Sequence, residues 1–238
     1  MLKKDWEKCK FFVVSDFLYK QNQEFFLSFF IKEKKDPKIL DLGCSNGSLT
    51  LKIGQTLNST NLYGIELDKK SANVARKKGI KVKISDLNHK FPYPSNFFDV
   101  VSANQVLEHL WNTPNFFKEV NRVLKKDGYA VISVPNLSSI HNIFFILLGQ
   151  QPTTLHLTDV QLGNFLRGTK LSWPSHMKAF TISSLKDLAQ VYGFKLEKLK
   201  GYGFLFLPPT LNKIFSELFP CYTAFLTMRI RKIKDFNI

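Results

Sequence analysis

Short apolar runs alternate with amphipathic stretches from residue 39 to residue 134 of the chain. The runs are four to six residues long, and their composition is typical of strands buried on both faces of a sheet. The stretches between them show helical spacing, so the alternation predicts an α/β fold with a parallel sheet and helices on both faces. The predicted strands are Ile39–Leu42, Leu62–Glu66, Val82–Ser85, Asp99–Ala103 and Tyr129–Val134, and the predicted helices are Ser48–Leu57, Lys69–Lys78 and Thr113–Lys125.

The alternation is interrupted over residues 137–175 and then resumes. The interruption holds an apolar helical pattern at Ser139–Leu148 and a second amphipathic stretch at Leu155–Leu166, which predict an inserted helical cap. Residues 1–35 are rich in phenylalanine and predict a helical cover over the pocket or the sheet edge. After the cap, the pattern predicts a helix at Ser183–Gly193, a strand at Phe194–Lys200, a short helix at Leu211–Leu218 and a last strand at Ala224–Ile233.

Length and cysteine content indicate a single domain in a reducing compartment. The 238 residues suffice for one large α/β domain that spans residues 1–238. Cys9, Cys44 and Cys221 stand far apart, so their spacing predicts neither a disulfide framework nor a metal site. The charged N-terminus does not read as a signal peptide, and no apolar run nears the roughly 18 residues that span a bilayer. We therefore expect a cytoplasmic protein without a transmembrane segment.

The formal net charge of +15 favours an anionic partner, either a nucleic acid or a membrane surface. Only five of the 34 basic residues are arginine, however, and base readout and bidentate phosphate contacts use arginine. An A/T-rich coding sequence, with lysines spread over solvated faces, explains the same composition. We therefore rank nucleic acid below a small molecule as the expected partner.

A glycine turn beside acidic strand ends is the most informative local pattern. The turn spans Gly43–Gly47, and Asp41 stands two residues before it in the first predicted strand. Glu66 ends the second strand, and Asp86 follows the third. In an open α/β sheet such strand ends line a ligand crevice, where small residues let backbone amides approach a carboxylate. The pattern predicts a pocket for a nucleoside with a charged tail.

The spacing Gly43-x-Ser45-x-Gly47 after Asp41 resembles the glycine motif of the class I S-adenosylmethionine-dependent methyltransferases, with serine in place of the middle glycine. That serine is tolerated if its φ is negative. A dinucleotide-binding fold is the competing interpretation, but its fingerprint is GxGxxG. Val-Leu-Glu-His at 106–109 and segments downstream also resemble a small-molecule branch of the family, so the resemblance covers residues 38–194. It implies a Rossmann-like methyltransferase fold with a mostly parallel seven-stranded sheet.

The resemblance also implies roles around the cofactor S-adenosylmethionine. Asp41 would accept from the ammonium group, directly or through water, Glu66 from two ribose hydroxyls, and Asp86 from the exocyclic amine of adenine. Asn104 and Gln105 would lie beside the methionine part. The implied cofactor-binding residues are Asp41, Gly43, Cys44, Ser45, Gly47, Glu66, Leu67, Asp86, Leu87, Asn104 and Gln105.

The methyl acceptor is less well defined. Adenine amino methylation in this superfamily uses an (N/D/S)PP(Y/F) segment, and Ser102–Gln105 has no proline. Cys221 lies near the last strand, where packing explains it better than a role as the nucleophile of cytosine methylation. An oxygen acceptor is therefore favoured, and its methylation depends mostly on alignment. His109 stands near the expected methyl position, either as the base that takes the hydroxyl proton or as a residue that fixes the pocket wall. The other histidines near the cap are His141, His156 and His176, each in an acceptor-contacting or a surface role.

Three functions stay open on the sequence. The apolar cap at 137–175 favours O-methylation of a small molecule, such as a sugar, a phenol, or a quinone or lipid-linked precursor. The charge favours an RNA methyltransferase. Ser45 and the undefined base are the only support for a cofactor-binding protein without catalysis. The cap and the lysine-rich exterior also make peripheral contact with an anionic membrane a hypothesis.

Overall fold

The computed structural model describes residues 20–168, 170, 175–204 and 207–236. No helix in these stretches is both long enough and apolar enough to cross a bilayer. Residues 20–27 are helical, and the predicted cover over residues 1–19 lies outside the described residues. The elements that follow are β1 Ile39–Leu42, α1 Ser48–Leu57, β2 Leu62–Glu66, α2 Lys69–Lys77, β3 Lys81–Ile84, β4 Phe98–Asn104, α3 Thr113–Val123, β5 Leu124–Pro135, α4 Ile140–Leu147, α5 Ile182–Val191, β6 Phe194–Tyr202, α6 Pro209–Leu218 and β7 Phe225–Lys232.

The strands of the described chain form one sheet in the order β3-β2-β1-β4-β5-β7-β6. All pairings from β3 to β5 are parallel, whereas β7 runs antiparallel to both β5 and β6. The chain winds outward from β1 through β2 to β3, and then returns to the other side of β1 at β4. The mostly parallel seven-stranded sheet is therefore confirmed, and its topological switch point lies between β1 and β4.

Both faces of the central strands β1 and β4 are buried, as their apolar runs predict, whereas the edge strand β3 is exposed at three of its four positions. Ile39 and Leu40 are adjacent in β1, yet Ile39 belongs to one core cluster and Leu40 to the other. Successive side chains of a strand point to opposite faces, so a strand covered on both sides must be apolar at every position. Phe26 and Phe29 of the N-terminal segment pack into the same cluster as Ile39. The N-terminal segment thus covers one face of the sheet.

The boundary between α3 and β5 differs from the prediction. The helix ends at Val123 instead of Lys125, and the strand begins at Leu124 instead of Tyr129. Phe98 of β4 pairs with Leu124, and a register shift follows before the pairing continues. Asp127 lies within the residues of β5 where the register shifts, and it has a left-handed backbone with a φ of 63°. Outside the insert, the other predicted strands and helices from Ile39 onward agree with the structure to within two residues at each end.

The insert contains less helix than predicted. The apolar helix is present as α4, but residues 155–166 form turns and bends instead of an amphipathic helix. Local side-chain bonds compete with a helix here. Thr158 Oγ1 accepts from the amide of Val160 at 3.1 Å, and Asn164 Oδ1 accepts from the amide of Leu166 at 2.9 Å. Gly163 lies between them with a φ of 75°. The described part of the cap is therefore one helix followed by a series of turns.

Candidate active site

Asp41 lies in β1 at the switch point, buried on all sides. Its Oδ2 accepts a 2.6 Å hydrogen bond from the hydroxyl of Thr50 in the first turn of α1. Burial raises the pKa of the Asp41 carboxyl to about 6, because removal from water disfavours the charged form. The group is poised to lose its proton near neutral pH, and a cationic ligand would favour the ionised form.

The turn from Gly43 to Gly47 joins β1 to α1 through left-handed backbone. Gly43 has a φ of 70°, and a Cβ on it would lie 2.7 Å from a methyl of Val106. Gly47 has a φ of 78°, and a Cβ there would lie 2.4 Å from Ile80. Only glycine fits both positions. Ser45 has a φ of 47°, so the expectation that its φ is negative is wrong, and the serine occupies a conformation that costs energy for any side chain.

Cys44 belongs to the same turn, but its side chain lies away from the crevice. The thiol is buried against Gly64 of β2, where a Cβ would come within 2.5 Å of the sulfur. Burial raises the pKa of that thiol well above its usual range, so it stays protonated. Any contact between Cys44 and a ligand must therefore involve its backbone.

Glu66 at the end of β2 connects the glycine turn to the turn that follows β2. Its Oε2 accepts from the amide of Ser45 at 2.8 Å. Its Oε1 accepts from the amides of Leu67 at 2.8 Å and Asp68 at 2.9 Å. A carboxylate has about four lone-pair positions, so these three amides do not exhaust it. Glu66 thus both orders the two turns and keeps capacity for one further donor.

Asp86 and the two predicted leucines differ in how they face the crevice. Asp86 Oδ1 accepts from the backbone amide of Asn88 at 2.8 Å and from its side-chain amide at 2.9 Å, which leaves Oδ2 3.8 Å from His89. Leu67 is 66% exposed and offers an apolar surface beside Glu66. Leu87 is buried within the core, so it supports the turn from beneath.

Asn104 is the last residue of β4 and Gln105 follows it, and the two side chains differ in their hydrogen bonds. The Oδ1 atom of Asn104 is buried and has no hydrogen-bond partner among the described residues. Gln105 has a φ of 55°, and its amide and side chain both donate to Ser133 of β5, at 2.9 and 3.1 Å. Gln105 therefore shapes the end of the strand, whereas Asn104 presents an acceptor.

The structure brings three histidines and one glutamate together beyond β4. Glu108 and His109 form a 3₁₀ turn, and the His109 ring lies 4.8 Å from that of His176, centroid to centroid. His156 stacks on His176 at 4.5 Å. Burial, followed by the two neighbouring histidines, lowers the pKa of His176 to about 3. His141 is not part of this cluster. Its Nε2 instead lies 3.2 Å from the hydroxyl of Ser139.

Glu108 was not singled out as a site residue from the sequence. Its side chain is 1% exposed, and burial raises the pKa of its carboxyl to about 8. Its Oε1 lies 3.9 Å from Nε2 of His109. The backbone carbonyl of Glu108 accepts from the amides of Met177 and Lys178 at 2.8 and 3.1 Å, and so holds the end of the insert against the β4 turn. Only its place in a Val-Leu-Glu-His segment marked it in the sequence.

A methyltransferase-domain family model matches residues 16–199, well over half of the chain. The chain belongs to the class I S-adenosylmethionine-dependent methyltransferases. The predictions of the family, of the enzyme class and of the fold are thereby confirmed.

Sequence relatives of this methyltransferase carry similar names. An uncharacterized methyltransferase of Schizosaccharomyces pombe is 30% identical over 155 residues, which is 57% of this chain and 55% of that protein. The ubiquinone biosynthesis O-methyltransferase of Pelagibacter ubique is 26% identical over 178 residues, which is 73% of this chain and 68% of that protein. This methyltransferase thus spans only about half to two thirds of the length of these relatives.

Solved structures share the fold of this methyltransferase at low identity. A S-adenosylmethionine-dependent methyltransferase of Thermotoga maritima, described as a possible histamine N-methyltransferase, superposes with a TM-score of 0.61 at 19% identity over 98% of this chain and 96% of that one. A counterpart from Mesorhizobium loti gives a TM-score of 0.61 at 17% identity over 87% and 95%. At these identities the likeness shows the fold alone.

The crevice of this methyltransferase fits the cofactor that defines its family. The unpartnered Oδ1 of Asn104 and the carboxylate of Asp41 suit an ammonium group. The carboxylates of Glu66 and Asp86 follow on consecutive strands, and the exposed Leu67 adds apolar surface for a flat ring. The polar groups thus match a charged tail at β1 and a nucleoside along β2 and β3.

Proposed function

We propose that this protein transfers the methyl group of S-adenosylmethionine to a hydroxyl oxygen of a small molecule. Acidic groups at or near the carboxyl ends of three neighbouring strands carry the cofactor part of the proposal, because strand pairing places Asp41, Glu66 and Asp86 along one edge of the sheet. The cofactor would lie along this edge, with its methionine part near β1 and β4. The methyl group would then point toward the turn of Glu108 and His109.

The acceptor would bind between that turn and the insert of residues 137–175. His109 and His176 lie there in ring contact, joined to the sheet through the carbonyl of Glu108. Methyl transfer is a direct displacement, so a site that fixes the acceptor in line with the sulfur supplies most of the rate. The predicted role of His109 as a base stays a prediction. The O-methyltransferase name of the Pelagibacter relative supports an oxygen acceptor.

The outer face of α4 supports a quinone-type or lipid-linked acceptor. Ile140, Phe144 and Leu147 occupy one helical stripe, and they are 50%, 56% and 79% exposed. An apolar stripe of this kind suits the boundary region of a bilayer, and the net charge of +15 favours anionic lipid. We infer that α4 contacts an anionic membrane from which the protein takes its acceptor.

Methyl transfer can be tested with S-adenosylmethionine labelled with tritium in the methyl group. The acceptors are catechol-type hydroxyquinone precursors, each paired with an analogue whose hydroxyls are already methylated, together with sugars and bulk RNA. We expect label in an extractable product from the free hydroxyl compounds only. Label in RNA would establish the alternative RNA methyltransferase. Cofactor binding without transfer to any acceptor would indicate a non-catalytic protein.

The membrane contact can be tested by flotation with anionic vesicles and by RNA gel shift at the same ionic strength. We expect vesicle association that Leu147→Asp on α4 abolishes. Val191→Asp is the matched control, since Val191 is 62% exposed on the distant helix α5. Binding to structured RNA without vesicle association would contradict the membrane contact.

A further inference from the structure

The carboxylate of Glu108 is buried without a hydrogen-bond partner among the described residues. Its side chain is 1% exposed, and neither oxygen accepts a hydrogen bond there. Leaving a polar group unpaired inside a protein is costly, so such groups are uncommon and need a physical explanation. A cation held by the carboxylate is one such explanation, and it requires further ligands close to Glu108.

Two imidazoles beside Glu108 are oriented by backbone carbonyls. Nδ1 of His109 lies 3.4 Å from the carbonyl oxygen of Ser175, and Nδ1 of His176 lies 3.2 Å from that of Thr154. A carbonyl can only accept, so each contact favours the tautomer with its proton on Nδ1 and a lone pair on Nε2. Metal-binding histidines are oriented in this way, with the second ring nitrogen donating to a carbonyl or carboxylate.

The three side chains together have the donor set of a metal site. One ligand atom each from Glu108, His109 and His176 lies within 4.8 Å of the other two. We propose that these residues bind a divalent transition-metal ion of the Zn²⁺ type. Ligand bonds of about 2.0–2.2 Å place tetrahedral ligand atoms roughly 3.4 Å apart. Side-chain rotations that move each ligand atom by about 1 Å would therefore bring the three atoms to this spacing. Two histidines and one glutamate form a known catalytic zinc ligand set.

His156 marks the limit of the site. Its Nε2 lies 2.9 Å from the carbonyl of Thr153, and its Nδ1 accepts from the amide of His176 at 3.1 Å. Both ring nitrogens are thus engaged by the backbone, so His156 supports the position of His176 and is not a ligand. The ion then has three protein ligands and one open position.

The ion would connect two parts of the molecule that the proposed function brings together. Glu108 and His109 belong to the turn after β4, and His176 stands one residue beyond the insert of residues 137–175. If the proposed function is correct, the open position faces the acceptor region and suits a hydroxyl oxygen, whose pKa a metal ion lowers. The lone pair on Nε2 of His109 would then hold the ion, and His109 would not be the base.

Metal binding can be measured on the full chain after chelation and dialysis. Titration with Co²⁺ should give the visible absorption of a tetrahedral complex at one ion per chain, and Zn²⁺ should displace it. Glu108→Gln and His176→Ala should each weaken binding by more than about 100-fold, since even the loss of a residue behind a ligand costs 10–100-fold. His89→Gln removes an exposed histidine outside the cluster and should leave the absorption unchanged.

Circular dichroism should show that the variants fold, and His176→Asn, a replacement closer to histidine in size, is used if His176→Ala does not fold. Lack of stoichiometric Co²⁺ or Zn²⁺ binding by the wild type would overturn the metal site, as would binding that Glu108→Gln and His176→Ala leave intact. Methyl transfer that chelation does not alter would then leave the proposed function standing. A metal-bound chain that methylates none of the acceptors would keep the site and contradict the function.

Discussion

The cofactor edge at β1–β3 and the acceptor side at the β4 turn differ in how their side chains come together. On the cofactor edge, Asp41, Glu66 and Asp86 lie at or near the ends of successive parallel strands, so strand pairing alone aligns them. On the acceptor side, His109 meets His176 only because the insert folds back onto the sheet. The arrangement of the cofactor edge therefore follows from the local sequence pattern, whereas that of the acceptor side depends on how distant segments pack in the tertiary structure. Variants in the two regions should therefore separate cofactor affinity from turnover.

The largest expected effect is on the acceptor side. His109→Ala should lower turnover by roughly 10²–10⁴-fold, because the acceptor hydroxyl loses either its base or the metal ion that lowers its pKa, while the affinity for S-adenosylmethionine stays unchanged. Initial rates at saturating cofactor and calorimetric titration measure the two quantities. His141→Ala is the matched control, because His141 is a histidine of the insert outside the cluster. Wild-type turnover in His109→Ala would show that His109 has no part in the reaction.

On the cofactor edge, Glu66→Ala should weaken the binding of S-adenosylmethionine by about 1.5–3 kcal/mol, the usual scale for hydrogen bonds to a charged group. The loss includes the ribose contact and the order of the two turns that Glu66 holds. Glu66→Gln keeps an acceptor and should lose less. Asp36→Ala serves as the control, because Asp36 accepts from the amide of Thr60 at 2.9 Å before β2 begins. Equal affinities of Glu66→Ala and the wild type for S-adenosylmethionine would contradict the proposed position of the cofactor at this edge.

Asp41 should give the cofactor edge a dependence on pH. An ammonium ligand needs the ionised carboxylate, so affinity should fall about tenfold per unit below pH 6, where Asp41 becomes protonated. Asp41→Asn should bind weakly at every pH. Calorimetry from pH 5 to pH 8, as a difference between the two proteins, isolates this residue. Affinity that is flat through pH 6 in the wild type would contradict the contact with the ammonium group.

The Asp41 carboxyl should make the free energy of unfolding fall as pH rises, whereas it makes the affinity for the cofactor rise. Its pKa is raised in the folded state from 3.8 to about 6, so the folded state binds the proton more tightly. Its contribution to the free energy of unfolding should therefore fall as pH rises from about 4 to 6, by about 3 kcal/mol at most, and stay constant above that. Urea unfolding of the wild type and Asp41→Asn at each pH measures the difference. A difference that grows in favour of the wild type as pH rises would contradict the assigned burial.

The smallest expected effect concerns the glycine turn. Ser45 has a φ of 47°, which costs a non-glycine residue about 1 kcal/mol or more. Replacement by glycine removes this cost, but the greater conformational freedom of glycine in the unfolded chain offsets part of the stabilisation. Ser45→Gly should therefore raise the free energy of unfolding by about 0.5 kcal/mol. Asn58→Gly, at a φ of 51°, should gain less because asparagine tolerates this conformation. Destabilisation by Ser45→Gly would show that the serine side chain has a stabilising contact.

The sequence predicted most of the sheet and the cofactor edge because both follow from short-range pattern. The bounds of β1, α1 and β2 match, since an apolar run, a glycine turn and a helix stand next to one another. The negative φ expected of Ser45 was wrong, because the turn must reach Glu66, which lies on the next strand. The residue pattern of one segment does not show that its backbone must bond to a side chain on another strand.

The acceptor side was predicted less completely, for two physical reasons. Residues 155–166 are amphipathic, yet local bonds from Thr158 and Asn164 hold them in turns. The adjacent residues Glu108 and His109 stand far from His176 in sequence, so their spacing shows no ligand motif. No metal site was expected from the sequence for that reason.

The central claim is that the cofactor lies along β1–β3 and the acceptor beyond β4. A crystal structure with S-adenosylhomocysteine, the demethylated cofactor, tests it most directly. We predict a ribose hydroxyl on Glu66, the adenine amine on Asp86, and the ammonium group near Asp41 and Asn104, with the sulfur directed toward His109. A ligand bound elsewhere, with Glu66 still engaged only by the amides of Ser45, Leu67 and Asp68, would contradict the account.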